Sequence, residues 1–142
     1  MIKQAVIIDF LGTIVDPVRL NFYPETIEAL KELKKSFDMF ISSRLGNAFI
    51  ESHLERQNLK DIFYLIYGRE DGKKQDHLDK ILRLGDYEKV LYITNSLEEL
   101  TIKDHRLIKV VVNVHKHELF PEDVMVFKEP LSVKIVEQII EG

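Results

Sequence analysis

Ala5-Val6-Ile7-Ile8-Asp9-Phe10-Leu11-Gly12-Thr13 is the stretch that decides the fold. Four apolar residues in a row, three of them β-branched, read as a strand covered on both faces, because a half-exposed strand alternates. The run stops at Asp9, and Gly12 follows in a turn. From there the chain alternates between short apolar runs and helical periods. Pro24 to Lys35 reads as a helix, with Pro24 in its first turn and Ile27, Leu30 and Leu33 on one stripe. Met39 to Ile41 is a second strand. Asn47 to Gln57 is a helix with Phe49, Ile50 and Leu54 inward, and Ile62 to Tyr67 is a third strand. Asp76 to Leu84 is a helix capped by Asp76, with Leu78, Ile81 and Leu82 inward.

The second half repeats the alternation. Val90 to Ile93 is a fourth strand, Leu97 to Ile102 a short helix, Ile108 to Val114 a fifth strand and Val124 to Phe127 a sixth. Pro130 opens a last helix whose broad apolar face carries Val133, Ile135, Val136, Ile139 and Ile140. Strands joined by helices of this length are parallel crossover units. The expectation is an α/β fold, a doubly wound parallel sheet of five to six strands with helices on both faces.

Composition sets the bounds. The 142 residues fit one domain spanning 1–142, with enough length to bury a core without metal or disulfide staples. A hydrophobic share of 45% is too high for a disordered chain. With 20 Lys and Arg against 24 Asp and Glu, the net charge of -4 argues against a nucleic-acid partner or an anionic membrane. The absence of cysteine excludes disulfides, thiolate catalysis and zinc–thiolate sites, and agrees with a cytoplasmic home. No apolar run approaches the roughly 18 residues that span a bilayer.

Ligands of open parallel sheets bind beyond the carboxyl ends of the strands. The first strand ends at Asp9, the second at Ser42-Ser43-Arg44 and the fourth at Thr94-Asn95-Ser96, with Glu99 a turn further on; Gly72-Lys73-Lys74 precedes the third helix. A carboxylate, hydroxyls, an ammonium and an amide therefore converge on one edge. Asp can act as a nucleophile that forms an ester or acyl phosphate. Ser and Lys can hold a phosphoryl group and neutralise its charge. Gly12 lets the backbone approach closely and offers its N–H.

The order of these residues resembles the haloacid dehalogenase superfamily of hydrolases. Val6 to Asp16 is similar to that superfamily's first motif, an apolar strand followed by Asp-x-Asp-Gly-Thr. Ser43-Arg44 and Lys74-Gln75-Asp76-His77-Leu78 are similar to its capless, magnesium-dependent phosphatase branch, and few residues separate Thr13 from the first helix. The resemblance implies Asp9 as nucleophile, Ser43 or Ser42 as the second-motif hydroxyl, and Lys74 or Lys73 as the third-motif lysine. Leu11, Gly12, Thr13, Ser42 and Arg44 would then surround the phosphoryl group. Magnesium would be held by Asp9, the Leu11 carbonyl and Asn95, with Glu99 in partial compensation.

Two positions depart from the pattern. The family's acid/base Asp is Leu11 here, and Leu cannot move a proton. Its magnesium-binding Asp is Asn95, whose carbonyl brings no charge. The expected function is phosphoryl transfer through an aspartyl intermediate at Asp9, with weakened or atypical activity. Its substrate would be a small phosphorylated molecule with a good leaving group, or a phosphoprotein. The alternatives are a catalytically inactive binding or regulatory protein of the same fold, and metal-independent hydrolysis of a non-phosphate substrate.

Three further features are weighed and set aside. His115 and His117 would share one face of a strand, but no third ligand is in register, so they read as a polar loop. His77 reads as a helix-surface or packing residue. A receiver domain is excluded because the third strand ends at Tyr67-Gly68 rather than at an Asp, and a dinucleotide fold lacks its Gly-x-Gly-x-x-Gly.

Overall fold

A computed structural model describes residues 3–96, 104–115 and 119–142. Six strands form one parallel sheet: β1 (Gln4–Ile8), β2 (Asp38–Ser42), β3 (Leu65–Tyr67), β4 (Lys89–Thr94), β5 (Leu107–Val111) and β6 (Met125–Val126). Their spatial order is β3-β2-β1-β4-β5-β6, so the direction of winding reverses between β1 and β4. Four helices accompany them: α1 (Pro24–Lys34), α2 (Asn47–Arg56), α3 (Lys74–Leu84) and α4 (Val133–Glu141).

The continuous apolar runs are explained by two apolar clusters. Val6, Ile8, Met39, Ile41, Leu91 and Ile93 pack with Leu30 and Leu33 of α1, Ile50 and Leu54 of α2, and Ile135, Val136 and Ile139 of α4. The alternate residues, Ala5, Ile7, Phe40, Val90 and Tyr92, pack with Leu78 and Ile81 of α3. Side chains alternate across a strand, so these are the two faces of the sheet. Each fully buried Leu, Ile or Val contributes about 1.5–3 kcal/mol of transfer free energy. Thr26 Oγ1 of α1 donates to the Leu131 carbonyl at 2.8 Å, which ties α1 to the approach of α4. No helix among the described residues is long and apolar enough to cross a membrane.

Several element ends differ from the sequence expectation. The third strand begins at Leu65, not Ile62, because Lys60–Ile62 is a 3₁₀ turn that drops Leu59, Ile62 and Phe63 into the first cluster. The third helix begins at Lys74 rather than Asp76. Asp76 acts from inside it, its carboxylate accepting the Lys73 N–H at 2.8 Å. The fifth strand stops at Val111, and Asn113 just beyond it takes φ 56°, a left-handed conformation that ends pairing. The last helix starts at Val133 with Ser132 as its cap, leaving Pro130 outside. Phe49 and Ile140, expected inward, are 38% and 51% exposed, since each sits at the margin of its helix's apolar stripe. The expected helix over 97–102 lies outside the described residues.

Candidate functional site

Asp9 follows β1 directly, and its N–H still bonds the Ile93 carbonyl at 3.0 Å, so the residue is held in the sheet's geometry. Oδ1 of its carboxylate accepts two donors, the Phe10 N–H at 2.7 Å and Lys74 Nζ at 2.9 Å. The Lys74 side chain is 6% exposed and that of Asp9 17%. Two opposite charges are thus largely withdrawn from water at the carboxyl edge of the sheet, where each makes the other tolerable. Lys73, the other candidate, is exposed and precedes the helix. The ion pair therefore belongs to Lys74.

The two serines part company. β1 and β2 pair Ile8 with Ile41, so Asp9 and Ser42 stand level on neighbouring strands. By the alternation of the sheet, both share the α3 face with Ile7 and Phe40. Ser42 is buried, and its Oγ lies 2.8 Å from His77 Nδ1. Ser43 is buried as well: its N–H bonds the Tyr67 carbonyl at 3.0 Å and its Oγ accepts the Leu45 N–H at 3.1 Å. By register Ser42 stands level with Asp9, and Ser43, the next residue, also caps a local turn. Arg44 is exposed.

His77 is fully buried, not on the helix surface. Its Nε2 lies 2.9 Å from the Gly68 carbonyl, which can only accept, so Nε2 carries the proton and Nδ1 accepts from Ser42. Its ring stacks on Tyr67, with centroids 5.7 Å apart. Burial pushes its pKa down, opposed by the Gly68 carbonyl and by Asp71. Gly68 is itself required here, because a Cβ would collide with Asn47 Oδ1 and the Leu45 carbonyl.

The loop after Asp9 is wound on itself. The Phe10 carbonyl receives the N–H groups of Thr13, Ile14 and Val15, and the Gly12 N–H bonds the Val15 carbonyl at 2.8 Å. Gly12 therefore does not offer its N–H outward, as the sequence suggested. Its need is conformational: φ is 78°, and a Cβ would stand 3.1 Å from Asn95 Oδ1. Thr13 is buried, and its Oγ1 finds no hydrogen-bond partner among the described residues. Leu11 packs its side chain against the first apolar cluster.

On the other side of β1 lies a set of neutral amides. Asn95 Nδ2 donates to the carbonyls of Val112 at 3.3 Å and Asn113 at 3.0 Å. Asn113 Nδ2 donates in turn to the Gly12 carbonyl at 3.2 Å and to the Tyr23 hydroxyl at 3.1 Å. Thr94 Oγ1 is engaged locally, donating to the Ser96 carbonyl at 3.1 Å. Asn113 and Tyr23 were not singled out from the sequence. Ending the fifth strand at Val112 would have exposed Asn113 to the same strand-end argument that found Asp9.

Of the oxygens expected to hold magnesium, the Asp9 carboxylate faces Lys74 and the Asn95 amide oxygen lies toward Gly12, a described set with a single negative charge. Among the described residues no group of three His, Asp or Glu could hold a metal ion. Glu99 and His117 lie outside the described residues, and His115 is exposed.

Fold and site together define an α/β protein with an Asp–Lys pair and a Ser–His pair at the carboxyl edge of a parallel sheet, where its winding reverses. Neither models of known protein families nor the sequences of curated proteins match this chain.

Proposed function

We propose that the chain is a capless hydrolase of the haloacid dehalogenase type, a doubly wound domain that works through a covalent ester or acyl phosphate at Asp9. The observation that carries this reading is the Asp9–Lys74 pair with the Phe10 N–H on the same carboxylate oxygen. A carboxylate oxygen of Asp9 is the atom that attacks. Lys74 neutralises charge that an anionic substrate brings to the carboxylate. Because Leu11 gives no proton, the leaving groups that suit this site need none: phenolate-like or carboxylate-like groups of small phosphoesters, or of a phosphorylated protein side chain.

The Asn95 amide hydrogens bond two carbonyls, which turns its amide oxygen toward Gly12. No step of this reading runs through magnesium. Hydrolysis of p-nitrophenyl phosphate, with and without magnesium, is compared between the wild type and Asp9→Asn. Turnover that the substitution abolishes, unchanged by chelator, supports the reading. Equal background rates in both proteins overturn the nucleophile and leave a binding role for the edge.

A further inference from the structure

His77 lies one helical turn beyond Lys74, and residues three apart share a face of a helix. Both are buried in the first turn of α3, whereas Gln75 and Asp76 between them are exposed. Leu78 and Ile81 hold the body of α3 on the sheet. Apolar contact has no direction, so it does not fix how a helix is turned or how far it has slid. Hydrogen bonds do have direction. His77 makes two, to different parts of the sheet: Nδ1 accepts from Ser42 at the end of β2, and Nε2 donates to the carbonyl of Gly68 just after β3. Gly68 is itself held from its other side, its N–H bonding Asp71 Oδ2 at 3.0 Å. The backbone N–H of His77 closes the helix start on the Lys73 carbonyl at 3.0 Å.

We propose that His77 is a positioning residue of this site: through Ser42 and Gly68 it fixes the height and rotation of α3, so that the Lys74 ammonium meets Asp9. Ser42 stands level with Asp9 on the neighbouring strand, so its bond to His77 refers the helix to the strand ends beside the carboxylate. Lys74 needs such a reference. Its flexible four-carbon stem is 6% exposed and ends 2.9 Å from Asp9 Oδ1. Ordering a lysine stem costs up to about 2 kcal/mol of rotamer freedom, and a buried ammonium that misses its carboxylate is left uncompensated. A misplacement of about 1 Å caused far from the chemistry can cost about 100-fold in rate. The consequence for turnover rests on the Asp9 hydrolase reading; the effect on the ion pair does not.

A histidine that only filled space against Tyr67 would act differently. Its replacement by an apolar residue would leave Ser42 Oγ and the Gly68 carbonyl unpaired and lower stability, with no effect specific to Lys74. The two roles separate in a double-mutant cycle, because a residue that acts through Lys74 has nothing to act on once Lys74 is gone.

The test has two readouts. One is kcat for p-nitrophenyl phosphate across Lys74→Met, His77→Leu and the double variant. The other is the ¹H–¹⁵N NMR signal of the Lys74 ammonium, assigned by its absence from Lys74→Met. The wild type should show an ammonium signal protected from exchange with water. His77→Leu should lose that protection and about tenfold in kcat. In the Lys74→Met background the same change should cost less than about twofold. His77→Gln, whose amide N–H can reach the Gly68 carbonyl, and Ser42→Ala, which keeps the ring on Gly68, should each fall between wild type and His77→Leu. Both carry the test if His77→Leu misfolds. An ammonium signal that stays protected in the folded His77 and Ser42 variants, or losses that multiply in the double variant, overturns the positioning role. Absence of a protected signal from the wild type overturns it too. A wild type without Asp9-dependent turnover overturns the hydrolase reading alone, and the ammonium signal then decides the positioning by itself.

Discussion

The carboxyl edge of the sheet has two unlike halves. On the β2 and α3 side of β1 stand ionisable groups: Asp9, Lys74 and His77, with Ser42 between them. On the β4 and β5 side stand neutral amides: Asn95 and Asn113, bonded to carbonyls and to Tyr23. The first half can move protons and charge. The described amides of the second half hold, and what they hold is the loop that carries Gly12. In a site built around a divalent cation, charge would be shared across both halves. Among the described residues it is confined to one, where Lys74 faces the Asp9 carboxylate.

The sharpest way to break this division is to remove its cation. Lys74→Met removes the ammonium from Asp9 Oδ1 and leaves the Phe10 N–H on it. Turnover of p-nitrophenyl phosphate should fall about 100-fold or more, as when one preorganised charge donor is lost. A Lys74→Met protein with wild-type kcat would show that the charged half does no chemistry. A smaller effect should follow from charging the neutral half. Asn95→Asp turns a carboxylate oxygen toward the carbonyls of Val112 and Asn113, which accept only. Stability should drop by about 1–3 kcal/mol, read as a lower urea midpoint. Magnesium should restore part of that loss in Asn95→Asp and leave the wild type unmoved. A magnesium-dependent rise in the wild-type midpoint would mean that the amide half does take a cation.

How legible each half was in the sequence follows from what carries it. Asp9 ends a β-branched run, and an apolar-to-charged break is visible in one dimension. Lys74 was legible only up to its neighbour, because choosing between Lys73 and Lys74 depends on where α3 begins, and Asp76 starts that helix from inside. The choice between Ser42 and Ser43 depends on the phase of the pleat at the end of β2, which a single step inverts. His77 read as bland because its two bonds reach Ser42 and Gly68, residues brought near only by the crossover from β2 through β3. Asn113 was hidden inside an apolar run assigned to the strand. Its left-handed φ is a local event with no periodic signal.

The charged half also leaves a mark on stability. His77 titrates below its ordinary value of 6.5 in the folded chain, because burial disfavours the charged ring. As the pH falls, the unfolded chain takes its proton first. The stability due to neutral His77 is therefore whole above 6.5 and is lost as pH falls from there toward the lowered folded value. The difference in urea midpoint between wild type and His77→Gln should shrink over that window. A difference that stays constant with pH would show that the ring remains neutral without linkage to folding.

The smallest effect belongs to the outer end of the neutral half. Tyr23→Phe removes the hydroxyl that accepts from Asn113 Nδ2 and leaves the bond to the Gly12 carbonyl in place. Burial raises the Tyr23 pKa, so the group lost is a neutral phenol and its loss carries no charge effect at neutral pH. One neutral hydrogen bond at a half-buried position contributes about 0.5–1.5 kcal/mol, and the urea midpoint should fall accordingly. Because Asn113 still holds Gly12, the loop should keep its form and turnover should change less than about twofold. A tenfold loss of turnover with the midpoint unchanged would place Tyr23 in the chemistry, and the amide half would then be more than a clasp.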